Sequence, residues 1–282
     1  MSKKIGDSSP PGRLIKFPIE RRKRTNLSNI GESIPSTPQW LIRHDNGIIN
    51  KIDPHTLQET RNLQLVSDSR RVQSEMVLVQ GGPFQAKGSE LRLAANEAII
   101  EPFEISKYPV TVAEFRDFTI GTDYLEQIRN ELAIGLIRQL SDITKDNHPA
   151  VRVNWADREK YVAWRGEDFY IPSAIELEFV MRGREGREYP YGNTWIKPPY
   201  YDNFDEDKLV PVDSFPAGAT PEGVCGFGIV NEATSSIYAG MMEIRGGWGF
   251  DEKMSRGGSR LFTSPFLREV SLGFRVARRI RK

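Results

Sequence analysis

The sequence predicts a mixed domain of short strands and short helices that gives way to loops. Three observations predict it. Apolar runs are brief, as in Met76-Val77-Leu78-Val79, and are cut by Gly and Pro. Two capping boxes, Thr111 with Glu114 and Ser173 with Glu176, each open a helix. From residue 195 onward Gly, Pro and Asn recur and apolar residues come in pairs, so long helices are hard to draw.

Taken in order, residues 1–40 are rich in Pro, Ser, Gly, Lys and Arg and bury too little apolar surface to offset their ordering entropy. They read as a disordered basic arm. Residues 41–73 form an accessory segment, either a small hairpin or a stretch packed on the main domain, which runs over 74–282. Gly81-Gly82-Pro83-Phe84 turns the first strand into a second, and Pro102 to Tyr108 is another. The first capping box starts a helix through Phe118. Residues 124–143 read as one inserted helix, because Leu125, Ile128, Leu132, Leu136 and Leu140 fall on one helical face. His148 to Trp155 leads into a helix carrying Tyr161 and Trp164. The second capping box starts a helix that ends at Arg182-Gly183, with Phe179 and Met181 packing it, and Tyr189 to Asn193 is a turn.

A chain of 282 residues, 38% apolar and 27% charged, suits one large soluble domain plus an appendage. No stretch approaches the roughly 20 apolar residues that span a bilayer, and the N-terminus lacks a secretory apolar core, so a cytoplasmic protein is expected. Cys225 is the single cysteine, which excludes an intramolecular disulfide and a Cys-rich metal site; as a lone residue it reads as a small buried side chain. Net charge is +1 but unevenly spread: +6 on residues 1–24, +5 on 275–282 and about −10 on the body between. The run Arg21 to Arg24 suits nucleic acid or an anionic membrane, and a solvated, flexible arm is the favoured reading.

Several segments, in this order, resemble the formylglycine-generating enzymes and their sulfatase-modifying-factor relatives. They are Met76 to Phe84, Ile105 to Thr111, His148 to Trp155, Ile171 to Phe179, Tyr189 to Asn193, Pro211 to Pro216, Gly226-Phe227-Gly228, Arg245-Gly246-Gly247 and Gly273-Phe274-Arg275. The match covers roughly residues 74–278. It implies an α+β, loop-rich variant of the C-type-lectin-like fold, with two helices against short sheets.

The resemblance also implies what is missing. Catalytic members hold copper(I) between two cysteines five residues apart, since soft thiolates suit that ion. Counting back from Leu272-Gly273-Phe274-Arg275, with Pro265 aligned to the family's proline, puts those positions at Glu252 and Gly257. Neither donates sulfur. A related iron-dependent branch uses three histidines of an additional helical bundle; this chain has only His44, His55 and His148, and His148 sits in the family's structural His-Pro motif. Of the family's structural calcium sites, Asn203 and Phe204 keep part of one and would bind weakly. The other falls on Thr234 to Ala239, where Tyr238 replaces the acidic ligand, and is expected to be lost. No cofactor beyond such a weak calcium is expected.

The same region is apolar where active relatives are polar. Leu261, Phe262, Phe266 and Leu267 form either an exposed partner patch or filler for lost loops. Arg256, Arg260 and Arg268 flank them, suited to acidic partners or to internal ion pairs. The leading expectation is a non-catalytic binding or scaffold protein that uses Trp248, Arg256, Arg260, Phe262, Phe266 and Arg268 on a protein or peptide. A non-haem metal oxidoreductase with Glu243, Asp251 and Glu252 as oxygen ligands is one alternative. The variable protein of a diversity-generating retroelement is another.

Overall fold

The computed structural model describes residues 40–43, 49–52, 74–86, 97–131, 133–200, 209–246 and 252–281. The basic arm, Trp248, Asp251, Asn203 and Phe204 lie outside the described residues. The chain divides into two compact units, Met1–Asn62 and Leu63–Lys282. In the first, β1 (Trp40–Arg43) and β2 (Ile49–Ile52) pair antiparallel, Trp40 opposite Ile52.

The second unit starts with β3 (Met76–Val79) and β4 (Gly82–Gln85), followed by β5 (Glu97–Ile100) and β6 (Phe103–Ser106). The helix α1 (Val112–Ile120) carries the expected capping box: Thr111 accepts from the Glu114 amide, and the Glu114 carboxylate accepts from the Thr111 amide at 2.9 Å. The inserted segment is not one helix. It folds as α2 (Tyr124–Asn130) and α3 (Ile134–Ser141), which both pack against α1. A straight helix over twenty residues would run about 30 Å. Breaking it lets Leu125 and Ile128 from one half, and Leu136, Ile137 and Leu140 from the other, enter the same core.

A 3-10 turn over Ile143–Lys145 precedes α4 (Trp155–Arg165), which has a third capping box, Asn154 with Asp157. After β7 (Phe169–Tyr170), α5 (Ala174–Arg182) starts at the Ser173–Glu176 box and stops at Gly183, whose φ of 62° favours glycine. The loop-rich reading of the C-terminal half understates β8 (Asn231–Tyr238), an eight-residue strand that pairs with β9 (Met241–Arg245). Five α-helices occur among the described residues rather than the two implied by the resemblance.

Short strands close the chain: β10 (Leu261–Thr263), β11 (Leu272–Phe274) and β12 (Ala277–Arg279). They build two four-stranded sheets, in the orders β3-β6-β12-β7 and β10-β9-β8-β11. All pairings are antiparallel except β11 on β8. Thus β11 and β12, only two residues apart, belong to different sheets. The main core gathers Phe115, Phe118, Tyr124, Tyr161 and Phe274, with Trp164 against it. Phe274 meets Phe115 and Tyr161 edge-on at 6.2 and 5.4 Å. A second cluster packs Phe84 edge-on to Phe179, with Phe103, Leu177 and Met181.

Candidate functional site

The step between the two sheets falls on Arg275. Gly273 precedes it because a Cβ there would come 2.8 Å from Val230 Cγ2. The Arg275 side chain is fully buried and uses all of its donors. Nε and Nη2 bind the Glu232 carboxylate at 2.5 and 2.7 Å. Nη1 reaches the carbonyls of Ser106 and Lys107 at 3.1 and 3.2 Å, and Nη2 that of Cys225 at 3.0 Å. The guanidinium carbon lies 4.2 Å from the centre of the Phe227 ring. A two-pronged pair with satisfied hydrogen bonds tolerates such burial, where a lone charge would not. The signature arginine is therefore a structural clamp, and Glu232 is the partner that sequence reading missed.

The positions counted as copper ligands do not fit that ion. Glu252 accepts a hydrogen bond from the Tyr189 hydroxyl at 2.8 Å and stands 3.8 Å from Arg256. Gly257 donates its amide to the Glu188 carbonyl, and a Cβ there would lie 2.6 Å from Arg182 Cγ. The only thiol, Cys225, is buried with Sγ beside the Phe215 and Pro216 carbonyls. Burial pushes its pKa up, toward the protonated form that binds metal poorly. Of the oxygen ligands of the metal alternative, the two among the described residues, Glu243 and Glu252, are also engaged. Glu243 is paired with Arg245 at 2.7 Å, and Arg245 and Arg182 both hold the buried Glu178, at 3.1 and 2.8 Å. No group of three or more His, Cys, Asp or Glu placed to hold a metal occurs among the described residues. The Glu178–Arg182 pair follows helical i,i+4 spacing, whereas Arg245 approaches from β9, 67 positions away in the chain from Glu178.

The apolar stretch is at the surface. β10 is the outer strand of its sheet, with Phe262 opposite Glu243. Leu261 and Phe262 are exposed on it, and Phe266 and Leu267 follow at 82% and 50% exposure. Tyr238, whose ring lies 6.4 Å from that of Phe262, extends the Phe262 face together with Met241, its partner across β8 and β9; Ile237, opposite Met242, and Leu261, opposite Ile244, are exposed on the other face of the sheet. Sequence reading did not include Tyr238 and Met241, because their place beside Phe262 follows from strand register. The turn is tight: Ala239 has φ of 49° and Gly240 of 78°.

The flanking arginines separate. Arg256 is half-exposed and 3.3 Å from Glu188. Arg260 is partly buried and also engaged within the protein. Arg268 is committed inward: it pairs with Asp157, which ends the α4 capping box, with Glu131 at 2.6 Å, and donates to the Arg152 carbonyl at 3.2 Å. Phe262 and Phe266 are thus exposed on a strand and the loop that follows it, and Arg268 is tied to the helical face.

Comparison with known proteins agrees with this geometry. The profile of the sulfatase-modifying factor enzyme 1-like domain matches residues 63–280. The inactive C-alpha-formylglycine-generating enzyme 2 of Bos taurus is 26% identical over 268 residues, covering 72% of this chain and 87% of that protein. The formylglycine-generating enzyme of Mus musculus is 23% identical over 187 residues, 49% of this chain and 48% of that protein. Among solved structures, PvdO from Pseudomonas aeruginosa aligns with a TM-score of 0.53 at 24% identity, over 73% of this chain and 95% of its own. Treponema denticola variable protein 1 aligns with 0.52 at 16%, over 73% and 95%; both likenesses concern the fold alone. No described helix is long and apolar enough to cross a membrane. The chain belongs to the sulfatase-modifying factor enzyme 1-like domain family.

Proposed function

We propose that this protein is a non-catalytic member of its family that binds a protein or peptide through the face formed by β10, the Ser264–Leu267 loop and the β8–β9 turn. The observation that carries the reading is Phe266, a large aromatic side chain 82% exposed next to the exposed Leu267, in the loop that follows the exposed Phe262 of β10. Isolated apolar residues on a surface need no explanation, whereas a contiguous group on an outer strand does. Aromatic anchors of this kind dominate binding energy at protein interfaces. An outer strand also offers backbone groups to an extended peptide. The chain has no cysteine pair to hold copper(I), and the relatives named inactive belong to the same family. Both support the absence of the family's oxidation chemistry.

The test is cross-linking and co-purification of the full chain from its own cells, with wild type, Phe262→Asp and Phe266→Asp in parallel. The expected result is a partner cross-linked within residues 261–267 and lost from both variants, while their melting temperatures stay near wild type, since exposed substitutions usually change stability by less than about 0.5 kcal/mol. Equal recovery by all three proteins overturns the reading.

A further inference from the structure

The docking face holds a residue that its own backbone does not favour. β8 and β9 are joined by a two-residue loop, Ala239-Gly240, with Tyr238 opposite Met241. Both loop residues have positive φ, 49° and 78°, the arrangement of a type I′ turn. The first position of that turn is ordinarily Asn, Asp or Gly. Ala239 carries a Cβ, and in the left-handed region a Cβ crowds the following carbonyl oxygen. Gly would adopt the conformation without strain, and Asn tolerates it through its short polar side chain.

Nothing among the described residues supports the alanine from inside. Ala239 is exposed, and a Cβ added to Gly240 beside it would meet nothing within 4 Å. The hairpin tip is nevertheless firmly aimed. The β8–β9 register shifts between Ala233 and Ile237, and this bulge is fastened outside the ladder. Thr234 Oγ1 donates to the Glu243 carbonyl at 2.7 Å and accepts from the Ser236 amide at 3.2 Å. The Ser235 amide donates to the Pro172 carbonyl at 3.0 Å, and Ser236 Oγ accepts from the Ala174 amide at the start of α5, also at 3.0 Å. The tip is also uncharged. No Asp, Glu, Lys or Arg occurs between Glu232 and Glu243, and Tyr238 and Met241 are exposed on one face of the hairpin and Ile237 on the other. Backbone strain clusters at ligand clamps and other functional sites, and a projecting tip without charge matches a partner surface without charge.

We infer that Ala239 is a specificity-determining contact of the docking face. The tip enters an uncharged recess of the protein partner, where the methyl group beside Tyr238 and Met241 fits and a polar side chain does not. This rests on the docking reading above. An amide carried into such a recess loses its hydration and finds no hydrogen-bond partner, which weakens binding.

The test compares Ala239→Asn, Ala239→Gly and Phe266→Asp with wild type in the full chain, by thermal melting and by cross-linking and co-purification from its own cells. Both Ala239 variants should melt about 2 °C or more above wild type, because each relieves the turn. Ala239→Asn should nevertheless recover about fivefold less partner or lower still, the effect of one unpaired buried polar group, and Ala239→Gly, which removes only the methyl, should fall between the two. Full recovery by Ala239→Asn while Phe266→Asp loses the partner overturns this inference and leaves the docking face standing. Full recovery by Phe266→Asp overturns the docking face and the inference with it. Lower melting temperatures for both Ala239 variants would show that the turn is not strained, and would overturn the inference as well.

Discussion

Residues 261–267 and 272–275 are near neighbours in the chain and opposites in environment. Leu261, Phe262, Phe266 and Leu267 are exposed, whereas Leu272, Gly273, Phe274 and the charged Arg275 are buried. Apolar groups point to water in one half and a full charge is interred in the other. The Arg275 segment joins two sheets, and the proposed docking face lies in the neighbouring stretch that the signature does not include.

The largest effect should come from breaking the clamp. Arg275→Leu leaves the Glu232 carboxylate buried without a partner and should cost about 3–5 kcal/mol by chemical denaturation. For a domain of this size that is a fall of roughly 10 °C or more in melting temperature. The double variant Arg275→Leu with Glu232→Leu should recover part of the loss; no recovery would mean that the carbonyl contacts, not the ion pair, dominate. Arg268 stands between the two halves. Arg268→Ala should cost about 1.5–3 kcal/mol, since hydrogen bonds to charged groups contribute at that level, and should loosen the 264–269 loop. If partner recovery falls while the melting temperature holds, Arg268 belongs to the exposed half instead.

Arg158 sharpens the comparison from inside. It is as buried as Arg275, yet it has only the Val153 carbonyl at 2.5 Å and the Met242 sulfur at 3.1 Å, and its Nε has no partner. Burial pushes its pKa down to about 10. Arg158→Met should therefore change stability by less than about 1 kcal/mol, in either direction, because an apolar replacement removes a desolvation cost. A large loss on denaturation would equate the two arginines and undo the distinction.

The smallest effect concerns pH. Burial first, and then the Lys145 charge, holds His148 below the ordinary histidine range. The unfolded chain then binds more protons than the folded one between the two pKa values. Stability from this source is full above about pH 6.5 and declines as pH falls through that window. Urea midpoints at pH about 5.5 and about 7.5 should differ less in His148→Gln than in wild type.

Much of this architecture is legible in the sequence where the signal is local. The Thr111–Glu114 and Ser173–Glu176 boxes and the Gly183 stop use residues within four positions of one another, and all three occur as expected. The break between α2 and α3 was not legible, since periodicity continues across it while the chain turns back toward the core. Nor was the Glu232–Arg275 pair, whose members are 43 positions apart in the chain. Equally hidden was the approach of the 148–152 loop to the helix that carries Arg138, which the Gln139 bridge and the packing of Arg152 on Gly135 hold together. The exposed Phe262 and Phe266 stand out in the sequence by apolar type alone, while Tyr238 and Met241 come beside Phe262 only through pairing across β8, β9 and β10.

The Arg275 clamp has a consequence for how this domain is made. Its guanidinium ties together segments as far apart as 169 residues. During synthesis, everything from Ser106 onward must wait for that arginine to leave the ribosome before the two sheets are joined. A nascent chain stalled short of it would expose its unfinished interior to proteases and chaperones.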